Sequence, residues 1–192
     1  MIICYFGDSI TLGFGDPSGL GWPGRVSGKI ANLGVEVTHY NLGVRKDASP
    51  LLAKRWKGEA ELRKIGGMEC KLIFSLGTAD VMNGIEPADT LAAAEAILSE
   101  AKEMGDVLMV GPTPVTDAEK SRKIGILSEL LAGLCKKLDI PFVPVVDGML
   151  ASPLYVESLK GGDNVHPPLP GYAVLADFIL QSEPARDFFG LE

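Results

Sequence analysis

The chain has 192 residues, of which 46% are hydrophobic and 22% are charged, so it can bury a sizeable core within one domain, 1–192. Its formal net charge of −7 at pH 7 argues against a nucleic-acid partner, because a phosphate backbone requires a basic surface. No apolar stretch has membrane-spanning length and no basic segment precedes the first apolar run, so the sequence predicts neither a transmembrane helix nor a signal peptide.

Apolar segments with strand character alternate along the chain with segments of helical character. The predicted strands are 2–6, 35–42, 70–77, 107–111 and 141–146. The predicted helices are 22–33, 49–65, 86–104, 116–138 and 169–181. Because apolar strands that alternate with helices form parallel sheets covered on both faces, this order predicts an α/β protein: a three-layer α/β/α sandwich around a five-stranded parallel sheet.

Glycine-containing polar segments directly follow the first three predicted strands, at residues 7–9, 41–43 and 77–80. In a parallel sheet, ligands bind outside the carboxyl ends of the strands. We therefore expect these three segments to contribute to the functional site.

The glycine-rich stretch after the first strand raises the question of a phosphate-binding loop, because residues 19–24 match G-x-G-x-x-G. The dinucleotide-binding fingerprint places its glycines directly after the strand, whereas Gly19 lies twelve residues beyond Gly7. The second strand also ends at Asn41, where that fingerprint needs an acid for the ribose. The pattern is therefore weak evidence for a nucleotide site.

The alternative is that the turn after the first strand presents Ser9 as a nucleophile, which requires a general base to take its proton. Histidine is suited to that task near neutral pH, and the chain contains two. His39 lies within the alternating pattern of the second strand, which favours a structural residue. His166 lies in the loop before the last helix, and Asp163 three residues earlier can bind one ring nitrogen and leave the other for Ser9. The sequence therefore predicts a triad of Ser9, His166 and Asp163.

Four segments resemble the sequence blocks of the SGNH, or GDSL, hydrolase family: FGDSIT at 6–11, NLGVRKD at 41–47, GTAD at 77–80 and DNVHP at 163–167. The resemblance extends over nearly the whole chain. It implies a flavodoxin-like sheet and hydrolysis of a small-molecule ester or thioester, with no cofactor and no metal.

The same resemblance assigns roles to individual residues. Ser9 corresponds to the nucleophile, and Asp163 and His166 to the acid and the base. The backbone N–H groups of Ser9 and Gly43 correspond to oxyanion donors, which agrees with their positions just past the first and second strands.

Ala79 departs from the family pattern Gly-x-Asn-Asp, in which the asparagine side chain is a further oxyanion donor. Removal of one such donor costs roughly 10²- to 10³-fold in turnover in a comparable hydrolase. Turnover could be slow, or Asn83, Thr78 or Asn41 could reach the vacant position, with Asn83 the most attractive because it is nearby and polar. Alternatively the protein could bind a ligand without hydrolysing it.

Because all three triad residues are present, the sequence predicts a serine esterase that forms an acyl-enzyme intermediate. The alternatives are a catalytically weakened or inactive binding protein on the same fold, and a carbohydrate deacetylase that would use the same three residues. Neither the acyl group nor the oligomeric state can be inferred from the sequence.

Three acidic residues lie near the predicted triad. We expect Asp8 and Asp80 to accept backbone N–H groups in the turns that follow their strands, rather than to position His166. Asp147, at the end of the fifth predicted strand, is a rival triad acid without a local link to the histidine.

The sequence also leads to predictions for the residues around the site. We expect residues 12–24 to form a mobile rim that is too rich in glycine to pack tightly. Trp22 is predicted to anchor the first predicted helix rather than to line an acyl pocket, and Tyr155 is placed in a loop as a candidate substrate contact.

The cysteine content predicts the cellular compartment. Cys4, Cys70 and Cys135 are odd in number and widely spaced in apolar segments, which favours buried free thiols over a disulfide framework or a zinc site. The sequence therefore predicts a cytoplasmic protein.

Overall fold

A computed structural model of the chain describes residues 1–191 and contains a five-stranded sheet. Its strands are β1 (Ile2–Gly7), β2 (Thr38–Gly43), β3 (Cys70–Ser75), β4 (Asp106–Val110) and β5 (Phe142–Val143). All strand pairs are parallel, and the order across the sheet is β2-β1-β3-β4-β5. This is the flavodoxin-like order, in which ligands bind at the carboxyl ends of β1 and β3, where the direction of winding reverses.

Ten helices connect or follow the strands within the described residues. They are α1 (Ser9–Leu12), α2 (Gly21–Asn32), α3 (Ser49–Glu61), α4 (Thr78–Asn83), α5 (Pro87–Ala101), α6 (Ala118–Leu138), α7 (Val146–Leu150), α8 (Pro153–Gly161), α9 (Gly171–Gln181) and α10 (Glu183–Phe189).

The side chains of β1 point alternately into two separate cores, one on each face of the sheet. Cys4 and Phe6 are buried under α3, α5 and α6. Ile3 and Tyr5 are buried under α2, α8, α9 and α10. The predicted three-layer α/β/α sandwich is therefore confirmed.

Two aromatic residues near the predicted site belong to the second of these cores. Trp22 is 1% exposed, and its ring meets that of Tyr5 edge-on at 5.3 Å, which confirms its predicted role as an anchor of α2. Tyr155 is fully buried within α8, and its hydroxyl lies 3.4 Å from the carbonyl oxygen of Pro114. The prediction of a loop contact for Tyr155 is wrong, because this residue faces the sheet.

The strands differ from their predicted extents at β2 and β5. β2 begins at Thr38 rather than at residue 35 and continues to Gly43. β5 has only two residues, because Pro141 and Pro144 on either side lack the N–H group that a strand ladder requires. The apolar residues that follow β5 begin α7 instead.

Several helices were not predicted. Residues assigned to loops form α1, α4, α7, α8 and α10, most of which are too short to show an apolar periodicity in the sequence. α3 ends at Glu61 instead of at residue 65, and the next residue, Leu62, is exposed.

The glycine-rich stretch before α2 is more tightly held than the sequence suggests. The buried carboxylate of Asp16 accepts the backbone N–H groups of Ser18 at 3.0 Å and Gly21 at 2.9 Å and forms an ion pair with Arg25. These contacts contradict the expectation that residues 12–24 cannot pack tightly.

Two further expectations can be compared with the structure. Cys4 and Cys135 are buried and Cys70 is half-buried, all as free thiols. Among residues 1–191, no helix is long and apolar enough to cross a bilayer.

Candidate active site

Ser9 lies at the carboxyl end of β1, as the first residue of α1. The helix begins there because the carboxylate of Asp8 accepts the backbone N–H of Ile10 at 2.8 Å, which satisfies one of the free donors of the first turn. It ends after one turn at Gly13, which adopts a left-handed conformation with φ 82°. This short helix holds the Ser9 side chain at the half-buried surface of the carboxyl edge.

The same Asp8 carboxylate links the first and third strand ends. Its second oxygen accepts the backbone N–H of Ala79 at 3.0 Å, at the beginning of α4. Burial raises the pKa of Asp8 to about 6, although the N–H groups of Ile10 and Ala79 favour the ionised form. The contacts agree with the interpretation of Asp8 as an acceptor of backbone N–H groups.

Arg55, on α3, holds the first and second strand ends together. Its guanidinium group donates to the carbonyl oxygens of Leu42 at 2.9 Å and Gly7 at 3.2 Å. The carboxylate of Asp47 accepts from Arg55 Nε at 2.7 Å and provides a partner for the charge. Arg55 could not be predicted from the sequence, because nothing in a helical arginine indicates that it reaches carbonyl groups on two strands.

Asp163 and His166 lie in the segment between α8 and α9. One carboxylate oxygen of Asp163 accepts the backbone N–H groups of Val165 at 3.0 Å and His166 at 2.9 Å. Asn164 has a positive φ of 70°, and its carbonyl oxygen accepts the N–H of Thr116 at 3.0 Å. The turn is therefore held both internally and against the chain that follows β4.

The three predicted triad side chains are in direct contact. His166 Nε2 lies 2.7 Å from Ser9 Oγ, and His166 Nδ1 lies 2.7 Å from the second carboxylate oxygen of Asp163. Partial burial alone would raise the pKa of Asp163, but the backbone and ring N–H groups of His166 and the N–H of Val165 outweigh it and lower this pKa. Asp163 is therefore held as a carboxylate against the imidazole.

Phe14 packs against the imidazole, and Arg45 stacks on Phe14. The Phe14 ring meets the His166 ring edge-on with 4.8 Å between centroids, and the Phe14 carbonyl oxygen accepts the hydroxyl of Tyr172 at 2.9 Å. The Arg45 guanidinium carbon lies 3.7 Å from the centroid of the Phe14 ring. Neither residue was predicted to belong to the site, and the only signal in the sequence was the position of Arg45 within the segment 41–47.

Gly43, the predicted second oxyanion donor, has its backbone N–H engaged in this structure. The side-chain oxygen of Asn41 accepts that N–H at 3.0 Å. The requirement for glycine at this position is steric, because a Cβ on Gly43 would lie 2.2 Å from the backbone nitrogen of Leu12. The Gly43 N–H could donate to an oxyanion only after its hydrogen bond to the Asn41 side chain breaks.

Other backbone N–H groups in this region have no acceptor among the described residues, including those of Ser9 and, in the turn after β2, of Arg45 and Lys46. Lys46 adopts a left-handed conformation with φ 62°, which is uncommon for a residue other than glycine and favours a functional or tightly constrained turn. The turn that carries it is fixed at one end by the N–H of Val44, which donates to the carbonyl oxygen of Gly7 at 3.0 Å.

Asn83, the predicted substitute donor, contacts the other side of this turn. Its side-chain amide donates to the carbonyl oxygen of Lys46 at 3.3 Å. Asn83 is exposed, and its direct reach to an oxyanion stays a prediction. The Ala79 side chain itself is 7% exposed, so little room surrounds the position that an asparagine would occupy in the family pattern.

The comparison with protein families agrees with this geometry. Residues 5–174 match the model of the GDSL-like lipase/acylhydrolase family. The chain belongs to this family. It is accordingly a serine hydrolase that acts on ester bonds.

Solved structures of low sequence identity share the fold of this GDSL-family protein. A lipase/acylhydrolase from Enterococcus faecalis is 24% identical, with a TM-score of 0.79, over 98% of this chain and 95% of that one. The acetylxylan esterase Axe2 from Geobacillus stearothermophilus is 19% identical, with a TM-score of 0.79, over 100% and 94% of the two chains. TesA is 19% identical, with a TM-score of 0.77, over 98% and 99%. A comparison with curated proteins found no match.

The remaining candidate residues of this GDSL-family protein lie apart from the triad contacts. His39 is exposed on the edge strand β2, and Asp147 is exposed on α7. The buried Asp80 carboxylate accepts the backbone N–H of Ser49 at 3.1 Å and the hydroxyl of Thr90 at 3.0 Å. The prediction placed the donors to Asp80 in the turn after its own strand, whereas the structure places them on α3 and α5. Among residues 1–191, no group of three His, Cys, Asp or Glu side chains could hold a metal ion.

Proposed function

We propose that the protein hydrolyses a small ester or thioester through a triad of Ser9, His166 and Asp163 and an acyl-enzyme intermediate. The observation that carries this proposal is the continuous chain of contacts from Asp163 through His166 to Ser9, each 2.7 Å long. A nucleophile, its base and the group that orients the base are all within hydrogen-bonding reach.

In the acylation step, His166 Nε2 accepts the Ser9 proton while Oγ attacks the carbonyl carbon of the substrate. The Nδ1–H of His166 donates to Asp163, so the lone pair of Nε2 faces the nucleophile, and the carboxylate stabilises the imidazolium that forms. The tetrahedral intermediate collapses as Nε2–H donates its proton to the departing alcohol or thiol, and the acyl group stays on Ser9.

In the deacylation step, water takes the place of the alcohol. His166 Nε2 accepts a proton from the water as it attacks the acyl carbon, and then returns that proton to Ser9 Oγ when the acid leaves. No cofactor enters either step.

The oxyanion of each tetrahedral intermediate needs hydrogen-bond donors directed at it. Ser9 N–H is the first donor that we propose, because it has no acceptor within the described chain, and the second comes from the turn after β2, where the N–H groups of Arg45 and Lys46 also have none. Gly43, the donor that the family resemblance implies, takes part in this proposal only if its bond to Asn41 opens on substrate binding. With Ala79 in place of an asparagine, the side-chain donor is missing, and we expect a slow enzyme rather than an inactive one.

Hydrolysis of p-nitrophenyl acetate by the purified wild type and by Ser9→Ala tests the proposal. We expect Ser9-dependent release of p-nitrophenol, and equal rates for the two proteins would overturn the esterase assignment. Ser182→Ala is a matched control, because Ser182 lies before α10 and its hydroxyl contacts only the carbonyl oxygen of Ile179.

Covalent labelling separates an enzyme from a binding protein on the same fold. A fluorophosphonate reacts quickly only with an activated serine, so we expect the wild type to be labelled at Ser9 and Ser9→Ala to remain unlabelled. An unlabelled wild type would favour the binding protein. If the wild type is labelled, acetate release from acetylated sugars would distinguish a carbohydrate deacetylase from other esterases.

A further inference from the structure

Arg45 and Lys46 form a pair of exposed cations beside the candidate active site, in a protein whose formal net charge is −7. Neither side chain forms an ion pair with a carboxylate within residues 1–191, whereas their neighbour Asp47 is paired with Arg55. We name Arg45 and Lys46 the cationic lip. Two adjacent cations with no carboxylate partner among the described residues leave their charge available to an anionic ligand.

The position of the Arg45 guanidinium group is defined by stacking. It lies 3.7 Å from the centroid of Phe14, and the Phe14 centroid lies 4.8 Å from that of His166. At most the sum of these two distances separates the guanidinium carbon from the centre of the imidazole that contacts Ser9. Arg45 therefore lies within the length of a small molecule from the imidazole.

Stacking also determines which part of Arg45 remains free. The guanidinium carbon lies over the Phe14 ring, and none of its N–H groups has a hydrogen-bond partner within the described residues. Because these donors lie in the guanidinium plane, stacking on a ring leaves them free. Such a fork can bind a carboxylate or a phosphate through two parallel hydrogen bonds. Because the aromatic ring restricts the side chain, less conformational entropy is lost on binding than for a free surface arginine.

We propose that the cationic lip binds an anionic group on the alcohol portion of the substrate, so that the enzyme prefers esters whose leaving group carries a negative charge. The alcohol portion is the relevant side, because His166 donates a proton to the departing oxygen and Phe14, on which Arg45 stacks, packs against that same imidazole. This inference rests on the proposed hydrolysis and specifies the chemical class of its substrate.

The test compares two acetate esters that differ in the charge of the leaving group, 4-acetoxybenzoate and 4-acetoxybenzamide. In the wild type, kcat/KM should be higher for the anionic ester, and this preference should decrease with added salt because the lip is exposed. Arg45→Gln should decrease kcat/KM about tenfold for 4-acetoxybenzoate, mainly through KM, as expected for the loss of a charge-assisted hydrogen bond. The same substitution should change kcat/KM for the neutral ester, 4-acetoxybenzamide, by less than about twofold.

Two variants control for effects of charge and structure. Lys136→Gln removes the same charge from the exposed last turn of α6 and should leave the ratio between the two esters unchanged. Arg45→Lys retains the charge without the planar fork and should recover part of the preference. If Arg45 only holds Phe14 against His166, Arg45→Gln will reduce kcat equally for both esters, and that outcome would overturn the proposal.

Product binding separates a failure of this inference from a failure of the proposed function. Ser9→Ala should bind 4-hydroxybenzoate more tightly than 4-hydroxybenzamide in a calorimetric titration, and addition of Arg45→Gln should abolish the difference. Equal binding of the two products would overturn the anion preference even where the wild type hydrolyses both esters. Preferential binding without any Ser9-dependent turnover would support the cationic lip and contradict the hydrolysis.

Discussion

Ser9 Oγ and His166 Nε2 lie 2.7 Å apart although 157 residues separate them in the chain. One stands at the beginning of a one-turn helix after the first strand, and the other in a turn before α9. If they act as one unit, the effects of removing them on the activation free energy are not additive. We expect Ser9→Ala and His166→Ala each to reduce kcat at least roughly 10³-fold, and the double variant to be no slower than the slower single variant. A double variant whose loss equals the product of the two single losses would contradict a joint role.

Asp163→Asn tests the orientation of the imidazole. An asparagine can keep its oxygen on the N–H groups of Val165 and His166, but it presents an amide donor to Nδ1 and so favours the wrong tautomer. We expect a decrease in kcat/KM of roughly 10- to 10³-fold. This is smaller than the roughly 10⁴-fold loss that the same substitution causes in a triad with a buried acid, because the Asp163 side chain is 50% exposed.

The matched control for that substitution is Asp117→Asn. Asp117 also accepts a backbone N–H, that of Lys120 at 2.9 Å, but it caps α6 and contacts no histidine. Its kcat/KM for p-nitrophenyl acetate should stay close to that of the wild type. An Asp163→Asn enzyme as active as this control would exclude Asp163 from the catalytic chain.

Ala79→Asn tests whether a missing oxyanion donor limits turnover. If the new amide reaches the oxyanion, kcat should increase by up to roughly 10²-fold, which corresponds to one side-chain donor. Ala79→Leu has a side chain of similar size without a donor and controls for the crowding of a site that is only 7% exposed. An equal or lower kcat in Ala79→Asn than in Ala79→Leu would show that another group already serves the oxyanion.

Gly43→Ala tests the steric reason for glycine at the end of β2. The added Cβ would lie 2.2 Å from the Leu12 nitrogen and 2.8 Å from the Thr11 carbonyl carbon, both backbone atoms that cannot move without displacing α1. We expect the free energy of unfolding in urea to decrease by about 1–3 kcal/mol. Esterase activity should also decrease, because α1 carries Ser9. A variant with wild-type stability would show that this packing is looser than the structure indicates.

The raised pKa of Asp8 predicts that the stability of the protein depends on pH. Burial raises its pKa from 3.8 to about 6, so between these values the folded protein keeps a proton that the unfolded chain has lost. Increasing pH through this window therefore decreases the contribution of Asp8 to the free energy of unfolding, by roughly 3 kcal/mol in total. The contribution stays at its lower value above about pH 6.

Urea unfolding of the wild type and Asp8→Asn near pH 4 and near pH 7 measures this effect. The asparagine cannot ionise, so the wild type should lose stability relative to the variant as pH increases. A difference between the two proteins that does not change with pH would contradict the raised pKa of Asp8. Other titrating groups cancel in the comparison, because they are present in both proteins.

The long elements of the fold could be predicted from local patterns. Continuous apolar runs identified β1 and β3, because a strand that is buried on both faces of a sheet has apolar residues at successive positions. The repeated alternation of strands with long helices identified the layers. The short elements could not be predicted in this way. α1 and α4 are too short for an apolar period, and the role of Gly43 depends on the distance to Leu12, a residue on another element.

For the candidate site, the sequence by itself predicted Ser9, His166 and Asp163 as the triad, because these residue types occur in segments that resemble the sequence blocks of a known family. Only the tertiary structure decided how they meet and what surrounds them. Whether the Gly43 N–H is occupied, whether Lys46 turns left-handed, and whether Arg45 stacks beside the imidazole depend on contacts between segments distant in the chain. Local sequence patterns report the burial and conformation of neighbouring residues, and they contain no direct record of which distant atoms touch.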